Sequence, residues 1–252
     1  MNLQEHLQIG KGDVGRYVLL PGDPGRCEKI AAHFDDPQLM AFNREFKTIT
    51  GSLMGERVSV VSTGIGNPSA AIAIEELKNI GSDTFIRVGT SGGMQPELVP
   101  GDLAIMKASI RDEGTTKHYL PVEFPAIADI EVVLALKKAA DTLGYRSHIG
   151  ISHSKDSFYG QVAPDRMPVA PYLQRQWRAW TRGGVLCAEM ESAILFTLGS
   201  IYRLRTGSIA LIAMNQENPG LGSVVDVEPL IKTAVMALKT LITDDRKKRK
   251  DL

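Results

Sequence analysis

Cysteine is scarce in this 252-residue chain: Cys27 and Cys187 stand far apart, and neither belongs to a CxxC pair. Two thiols cannot build a disulfide framework, and no further cysteine or histidine sits at zinc-ligand spacing. The five histidines, His6, His33, His118, His148 and His153, contain no HxxxH or HExxH pattern, so a catalytic metal site has no support. Excess charge is missing too, with 29 Lys+Arg balancing 29 Asp+Glu. That balance removes the broad attraction to nucleic acid or anionic membrane that a basic domain carries. No apolar run approaches a membrane span, and MNLQEHLQIG lacks a signal-peptide core. These absences lead us to expect a cytoplasmic protein acting on a small molecule, with neither nucleic acid nor membrane as partner.

What remains is an ordinary globular composition, 43% hydrophobic and 23% charged. A chain of this length buries enough surface to hold a core without staples. Strand-like runs at Arg16–Leu20, Thr84–Val88, Asp102–Ala108, Tyr145–Ser152, Val185–Ala188 and Ser208–Met214 alternate with helical patterns. The helices are predicted near Arg26–Phe34, from Pro68 to Gly81, at Ile130–Leu143, at Glu191–Arg203 and at Glu228–Ile242. Phe46–Leu53 and Arg57–Ser62 read as a hairpin about Met54-Gly55. A long proline-containing loop is predicted over Ser154–Pro171, ahead of a tryptophan-bearing helix that stops at Gly183-Gly184. The basic run at 246–250 reads as a solvated, frayed helix end whose charge Asp244, Asp245 and Asp251 offset. The expectation is one α/β domain over 1–252 around a large mixed sheet flanked by helices.

Four places depart from plain structure. Pro21-Gly22-Asp23-Pro24-Gly25-Arg26 is a rigid turn after a strand, with backbone donors and a guanidinium suited to an anion; a tight turn with a surface arginine is the bland alternative. Arg87 lies within an apolar strand and is followed by Gly89-Thr90-Ser91-Gly92-Gly93. A charge there needs a carboxylate or a bound anion. Glu189-Met190-Glu191 suits a polyhydroxyl ligand over an apolar floor, or equally a helix start with favourably placed acids. Phe158-Tyr159-Gly160-Gln161 offers an aromatic face beside an amide, fit to stack on and read a planar heterocycle, or merely to anchor a loop. Gly64-Ile65-Gly66-Asn67-Pro68-Ser69 imitates a dinucleotide fingerprint. Ser69 replaces the third glycine, however, and Asp83 precedes the next strand instead of ending it. An anion site, a hydroxyl site and a heterocycle site together describe a nucleoside with phosphate.

With PGDPGR at 21–26, NREF at 43–46, STGIGNPS at 62–69, RVGTSGG at 87–93, DSFYGQ at 156–161 and AEMES at 188–192, the chain resembles the nucleoside phosphorylase-I family, on its uridine phosphorylase branch. The resemblance spans about His6 to the C-terminal helix. It implies a single α/β domain around a distorted mixed sheet or barrel, and a homo-hexamer built as a trimer of dimers. It implies a phosphate site of Gly22, Arg26, Arg87 and Thr90, with Arg44 supplied by the neighbouring subunit. Ribose would meet Thr90, Glu189, Met190 and Glu191, with His6 from the partner; Phe158 and Gln161 would hold the base. Arg26, Arg87, Thr90 and Glu191 would carry the chemistry. A potassium ion at the dimer interface would lie at Glu45, Ile65 and Ser69; no cofactor is required, and inorganic phosphate is the co-substrate.

Two departures stand out. Relatives on this branch carry an arginine two residues after the loop glutamine, where this chain has Ala163; Arg166 lies close enough to substitute. A further arginine is missing from Met214-Asn215-Gln216-Glu217. Purine-specific relatives place an aspartate there as general acid, a task neither Asn215 nor Gln216 can perform. The expected reaction is reversible phosphorolysis of uridine to uracil and ribose 1-phosphate. A purine nucleoside phosphorylase, a nucleoside hydrolase and a nucleoside-binding protein without catalysis are the alternatives.

Overall fold

A computed structural model describes residues 3–250, without the side chain of Lys250. In chain order it runs β1 (Tyr17–Pro21), α1 (Gly25–Ala31), β2 (Asp35–Asn43), β3 (Phe46–Leu53), β4 (Glu56–Val61) and α2 (Asn67–Asn79). Then come β5 (Thr84–Gly93), β6 (Leu103–Asp112), β7 (Ala126–Ile127), α3 (Ile130–Thr142), β8 (Ser147–Lys155), α4 (Phe158–Val162) and α5 (Ala170–Arg182). The chain continues through β9 (Cys187–Glu189), α6 (Ser192–Tyr202), β10 (Arg205–Asn215) and α7 (Glu228–Lys250).

Local chemistry accounts for many of these boundaries. Met54 and Gly55 both take positive φ (55° and 75°), and Leu53 pairs with Glu56 across them, as a tight two-residue hairpin requires. Asp129 caps α3 by accepting from the backbone N–H groups of Glu131 and Val132. Pro68 sits in the first turn of α2, where its missing N–H costs nothing.

The sheet closes on itself. β5 pairs in parallel with β10, β10 antiparallel with β6, β6 in parallel with β8, and β8 in parallel with β9. β9 then returns antiparallel to β5 through Gly92↔Ala188 and Gly93↔Cys187, making a five-strand mixed barrel. β1, β4, β3 and β2 extend the sheet outward from β5. Helix α6 is buried from Ser192 to Gly199, and β1 is buried at every position. No described helix is long and apolar enough to cross a membrane.

Several sequence expectations are corrected. Gly89–Gly93 is not a loop: β5 runs to Gly93, because ladders to β9 and β10 on either side outweigh the poor strand propensity of glycine. The predicted loop 154–171 holds the end of β8, the helix α4 capped by Ser157, a 3₁₀ turn at Pro164–Arg166, and the start of α5. β2 was not anticipated, since its Asp35-Asp36-Pro37-Gln38 opening is polar and exposed, as befits an edge strand. The basic end of α7 is not frayed: Arg246 Nη2 donates to the Met54 carbonyl at 2.7 Å, and Lys248 Nζ meets Glu131 at 2.6 Å. Asp251, assigned to the same charge balance, lies outside the described residues.

A buried ionic knot fastens α7 to the sheet. Asp245 accepts from Tyr17 Oη at 2.5 Å and from both terminal nitrogens of Arg205 at 2.8 and 2.6 Å. Burial, and then its bond to Asp245, pushes the Tyr17 hydroxyl up to about 12. Burial alone would raise the Asp245 carboxyl, but the bonds from Arg205 and Tyr17 outweigh it and hold it below the usual carboxylate range. A carboxyl depressed in the fold stabilises above its unfolded pKa, about 4, and that stability is lost as pH falls through its lower folded value. Asp245→Ala is expected to cost about 3 kcal/mol, or roughly 6–12 °C in melting temperature at neutral pH. Thermal melts from pH 7 down to 3 check this: the gap between wild type and variant should close as the pH drops below about 4.

Candidate functional site

The strand β5 organises the site. Arg87 lies within it and is 8% exposed, and its guanidinium bonds the Glu191 carboxylate, itself 2% exposed. Arg87 Nη1 also donates to the Leu20 carbonyl at 3.3 Å, and Glu191 Oε1 accepts from the Gly66 backbone N–H at 2.7 Å. The carboxylate reading of Arg87 is therefore met within the chain. Burial pushes the Glu191 carboxyl up, and the Arg87 charge opposes that shift.

A second guanidinium converges on the first. Arg26, at the start of α1, donates from Nη1 to the Val88 carbonyl at 2.9 Å. Burial, followed by repulsion from Arg87, lowers its pKa from the ordinary value. Two guanidiniums within repulsive range, of which only Arg87 is bonded to a carboxylate, make a spot where a bound anion would relieve the repulsion. Gly22 belongs here because a Cβ would lie 2.9 Å from the Gly64 carbonyl oxygen and 3.5 Å from Arg87 Nη2. Thr90 follows on the same strand with an exposed side chain.

Glu189 behaves as a helix-terminus acid. Its Oε2 accepts from the backbone N–H groups of Glu191 and Ser192, both at 2.7 Å, and its Oε1 accepts from Ser152 Oγ at 3.2 Å. Met190 between the two acids is half-buried.

Beyond Gly92 the site changes character. A Cβ on Gly92 would lie 3.5 Å from Gln161 Nε2 and 3.8 Å from the Gln216 amide, so these two side chains pack against β5 two residues past Thr90. Gln161 Nε2 donates to Gln216 Oε1 at 2.6 Å, which leaves Gln161 Oε1 buried with no partner among the described residues. They line a cavity of about 620 Å³, of small-molecule size, together with Asp112, His153, Lys155, Trp177 and Arg178. Trp177 Nε1 donates to Glu217 at 2.6 Å and ties α5 to the segment after β10. Asn215 is fully committed to structure. Its Nδ2 donates to the Gln95 and Leu98 carbonyls, and its Oδ1 accepts from the N–H groups of Glu217 and Asn218.

Two expected base contacts stand away from this cavity. Arg166 is exposed with its guanidinium 5.7 Å from the Tyr159 ring centroid, and Phe158 is 54% exposed, edge-on to Tyr159. Neither lines the cavity that Gln161 faces, because the turn of α4 and the following 3₁₀ segment carry them outward. Lys155, Arg178 and Gln216 line it without having been assigned a role from sequence.

His6 and Arg44 share one outer surface. His6 Nδ1 is 2.7 Å from Glu76 Oε1, its ring lies edge-on to Phe46, and its carbonyl accepts from Asn43 Nδ2 at 2.8 Å. Arg44, next to Asn43, is exposed with φ of 54°. Exposed Phe42 lies two residues before Arg44, and exposed Ile65 follows Gly64, where a Cβ would lie 2.7 Å from Glu45 Cγ. Ser69 Oγ is 2.7 Å from Glu45 Oε1 and 2.6 Å from the Thr63 carbonyl, so Glu45, Ser69 and the 63–66 turn form one group of oxygens. The Ser69 bond, acting against burial, lowers the Glu45 pKa.

The model of the phosphorylase superfamily matches residues 16–243. A uridine phosphorylase of Treponema pallidum (strain Nichols) is 50% identical over 244 residues, covering 95% of each chain. One of Thermococcus kodakarensis is 48% identical over 250 residues, covering 98% of this chain and 90% of that protein. A guanosine phosphorylase of Halorubrum lacusprofundi is 38% identical over 222 residues, covering 86% of this chain and 88% of its own.

If Glu189 is chiefly the cap of α6, its removal orphans two buried N–H groups. Glu189→Ala is expected to lower stability by about 1–3 kcal/mol in urea unfolding; an unchanged midpoint would contradict the capping role.

Proposed function

The chain belongs to the phosphorylase superfamily, and on that premise we propose that it is a pentosyltransferase catalysing the reversible phosphorolysis of uridine to uracil and ribose 1-phosphate. The observation that carries this reading is the convergence of Arg26, Arg87 and Glu191 on one side of Gly92 with the Gln161–Gln216 amide pair on the other. The first group suits phosphate and ribose, the second the donor–acceptor edge of a pyrimidine. The buried, unpartnered Gln161 Oε1 wants a donor, which the ring N–H of uracil supplies.

In this mechanism Gly22, Arg26, Arg87 and Thr90 hold inorganic phosphate below the sugar, with Arg44 of a neighbouring copy. Arginine forks match phosphate geometry and fix one oxygen toward C1′. Glu191 and Met190 hold the ribose, with Glu189 and a neighbour's His6 alongside, so attack becomes effectively intramolecular. The glycosidic bond loosens as phosphate approaches; no covalent intermediate on the protein is needed.

The same reading makes the chain one nucleoside phosphorylase-like domain within a homo-hexamer, a trimer of dimers. The shared surface of His6 and Arg44 beside exposed Phe42 and Ile65 supports a cross-subunit role. A potassium ion at the dimer interface would be held by Glu45, Ser69 and the Ile65 carbonyl, an all-oxygen donor set that fits a hard cation; it would organise the interface without taking part in the chemistry. Phosphate is co-substrate, and no organic cofactor is called for. The two free, buried thiols fit a reducing, cytoplasmic location.

Asn215 is consumed by backbone bonds and Gln216 by Gln161, while Glu217, the one acid of this segment, is held by Trp177 Nε1 and does not line the cavity, so no carboxylic acid of the segment faces it to protonate a purine. Uracil release from uridine, with and without phosphate and with inosine and guanosine in parallel, tests the reading. Phosphate-dependent release of uracil with the purine nucleosides untouched is expected. Release without phosphate identifies a hydrolase, purine turnover a purine phosphorylase, and binding without turnover a nucleoside-binding protein. Arg87→Ala should lower kcat/KM for phosphate by about 10³-fold or more, since it removes a phosphate ligand and orphans Glu191. Dilution to a stable monomer should abolish activity; full activity there would remove His6 and Arg44 from the site.

A further inference from the structure

Lys155 ends β8 and is 7% exposed, yet its ammonium makes no hydrogen bond or ion pair with any described residue. The residue is largely enclosed while its ammonium opens onto a cavity, and a cation so placed with no carboxylate in ion-pair range favours a ligand that completes it. The register places it opposite Asp112 of β6, and one residue past Ser154, which pairs with Glu189. It lines the 620 Å³ cavity with Gln161 and Gln216. Burial lowers its pKa, while the charges of Glu189, Glu191, Cys187 and Asp112 act in the opposite direction. The ammonium thus lines one cavity with the amides assigned to the base and lies within electrostatic range of the acids assigned to the sugar. Arg178 lines the same cavity from α5, but its side chain is exposed and water already solvates it.

We propose that Lys155 is a catalytic residue whose ammonium donates a hydrogen bond to a ring carbonyl oxygen of the departing pyrimidine, in the place where this chain lacks the arginines of Ala163 and the 214–217 segment. This inference rests on the uridine phosphorolysis reading. As the C1′–N1 bond breaks, its electron pair passes into the base and negative charge gathers on the ring oxygens. A phosphate oxygen forms the new bond to C1′. The ammonium stabilises the base anion and keeps its own proton; the anion is then protonated from solvent.

The test compares wild type, Lys155→Met and Lys155→Arg with uridine and with 5-fluorouridine, whose base is a better leaving group, at saturating phosphate. Wild-type turnover of uridine establishes the parent reading independently of the variants. Lys155→Met should lower kcat for uridine by roughly 10²–10³-fold, the usual effect of removing one donor to a developing oxyanion. Its loss with 5-fluorouridine should be at least five-fold smaller, and Lys155→Arg should recover part of the rate. The melting temperature of Lys155→Met should equal or exceed that of wild type, because a largely desolvated charge with no ion-pair partner has been removed. Equal losses on both substrates, or kcat for uridine within about three-fold of wild type, would overturn the proposal. If Lys155→Met fails to fold, the substrate comparison is made with Lys155→Gln, with the same two outcomes.

Discussion

The ion pair between Arg87 and Glu191 is the constraint on which the rest of the site hangs. Both groups are out of water, so each is tolerable only because the other is present. Removing one partner of such a pair costs about 3–5 kcal/mol, because the remaining charge stays buried. The pair joins β5 to the turn between β9 and α6, and the Gly66 N–H brings in the entrance to α2. Three segments distant in sequence are thereby held at one point. Arg26 comes within repulsive range of that point and shares no carboxylate there. The fold tolerates this repulsion at one point, which is the arrangement expected where an anion completes the structure.

Barrel closure determines which residues meet next. β5 is flanked by β10 through nearly its whole length and by β9 only at Gly92 and Gly93. At that crossing Gly92 has Ala188 on one side and Met214 on the other. The chain leaving β9 carries Glu189, Met190 and Glu191, and the chain leaving β10 carries Gln216. Sugar-type and base-type side chains therefore emerge within two or three residues of one glycine. A Cβ at 92 would already lie in van der Waals contact with the Gln161 amide.

Much of this was legible because the local signals agreed. Period-3.6 and period-2 patterns, the Met54-Gly55 turn and Pro68 identified most elements, and a lone arginine within the apolar run Thr84–Val88 announced an ionic site. The failures share a cause. Gly89–Gly93 and Asp35–Asn43 have little strand propensity, and only pairing with distant strands makes them strands. Ending β8 at Ser152 hid the fact that Lys155 occupies a buried strand position and is not on a solvated loop. Arg166 looked close to Gln161 in sequence, but α4 and the 3₁₀ turn between them carry it to Tyr159. Sequence distance is a poor guide where a short helix reverses the direction of the chain.

The charges of the site fall in an order that matches the reaction. Arg26 and Arg87 form a positive end, Glu191 and Glu189 a negative middle, and Lys155 a second positive element facing the amide-lined cavity. In the proposed phosphorolysis the nucleophile is negative, the loosening ribosyl ring is positive and the departing base is negative. A site that alternates plus, minus, plus opposes that distribution at each position. Its value grows as the bond stretches, because the ribosyl and base charges exist only then, and interactions that strengthen toward the transition state are those that accelerate it. In the proposed phosphorolysis the same order would let a chain with zero formal net charge accept an anionic substrate. On the proposed assignment, attraction comes from the guanidiniums of Arg26 and Arg87, and the carboxylates near them stand where positive charge would develop.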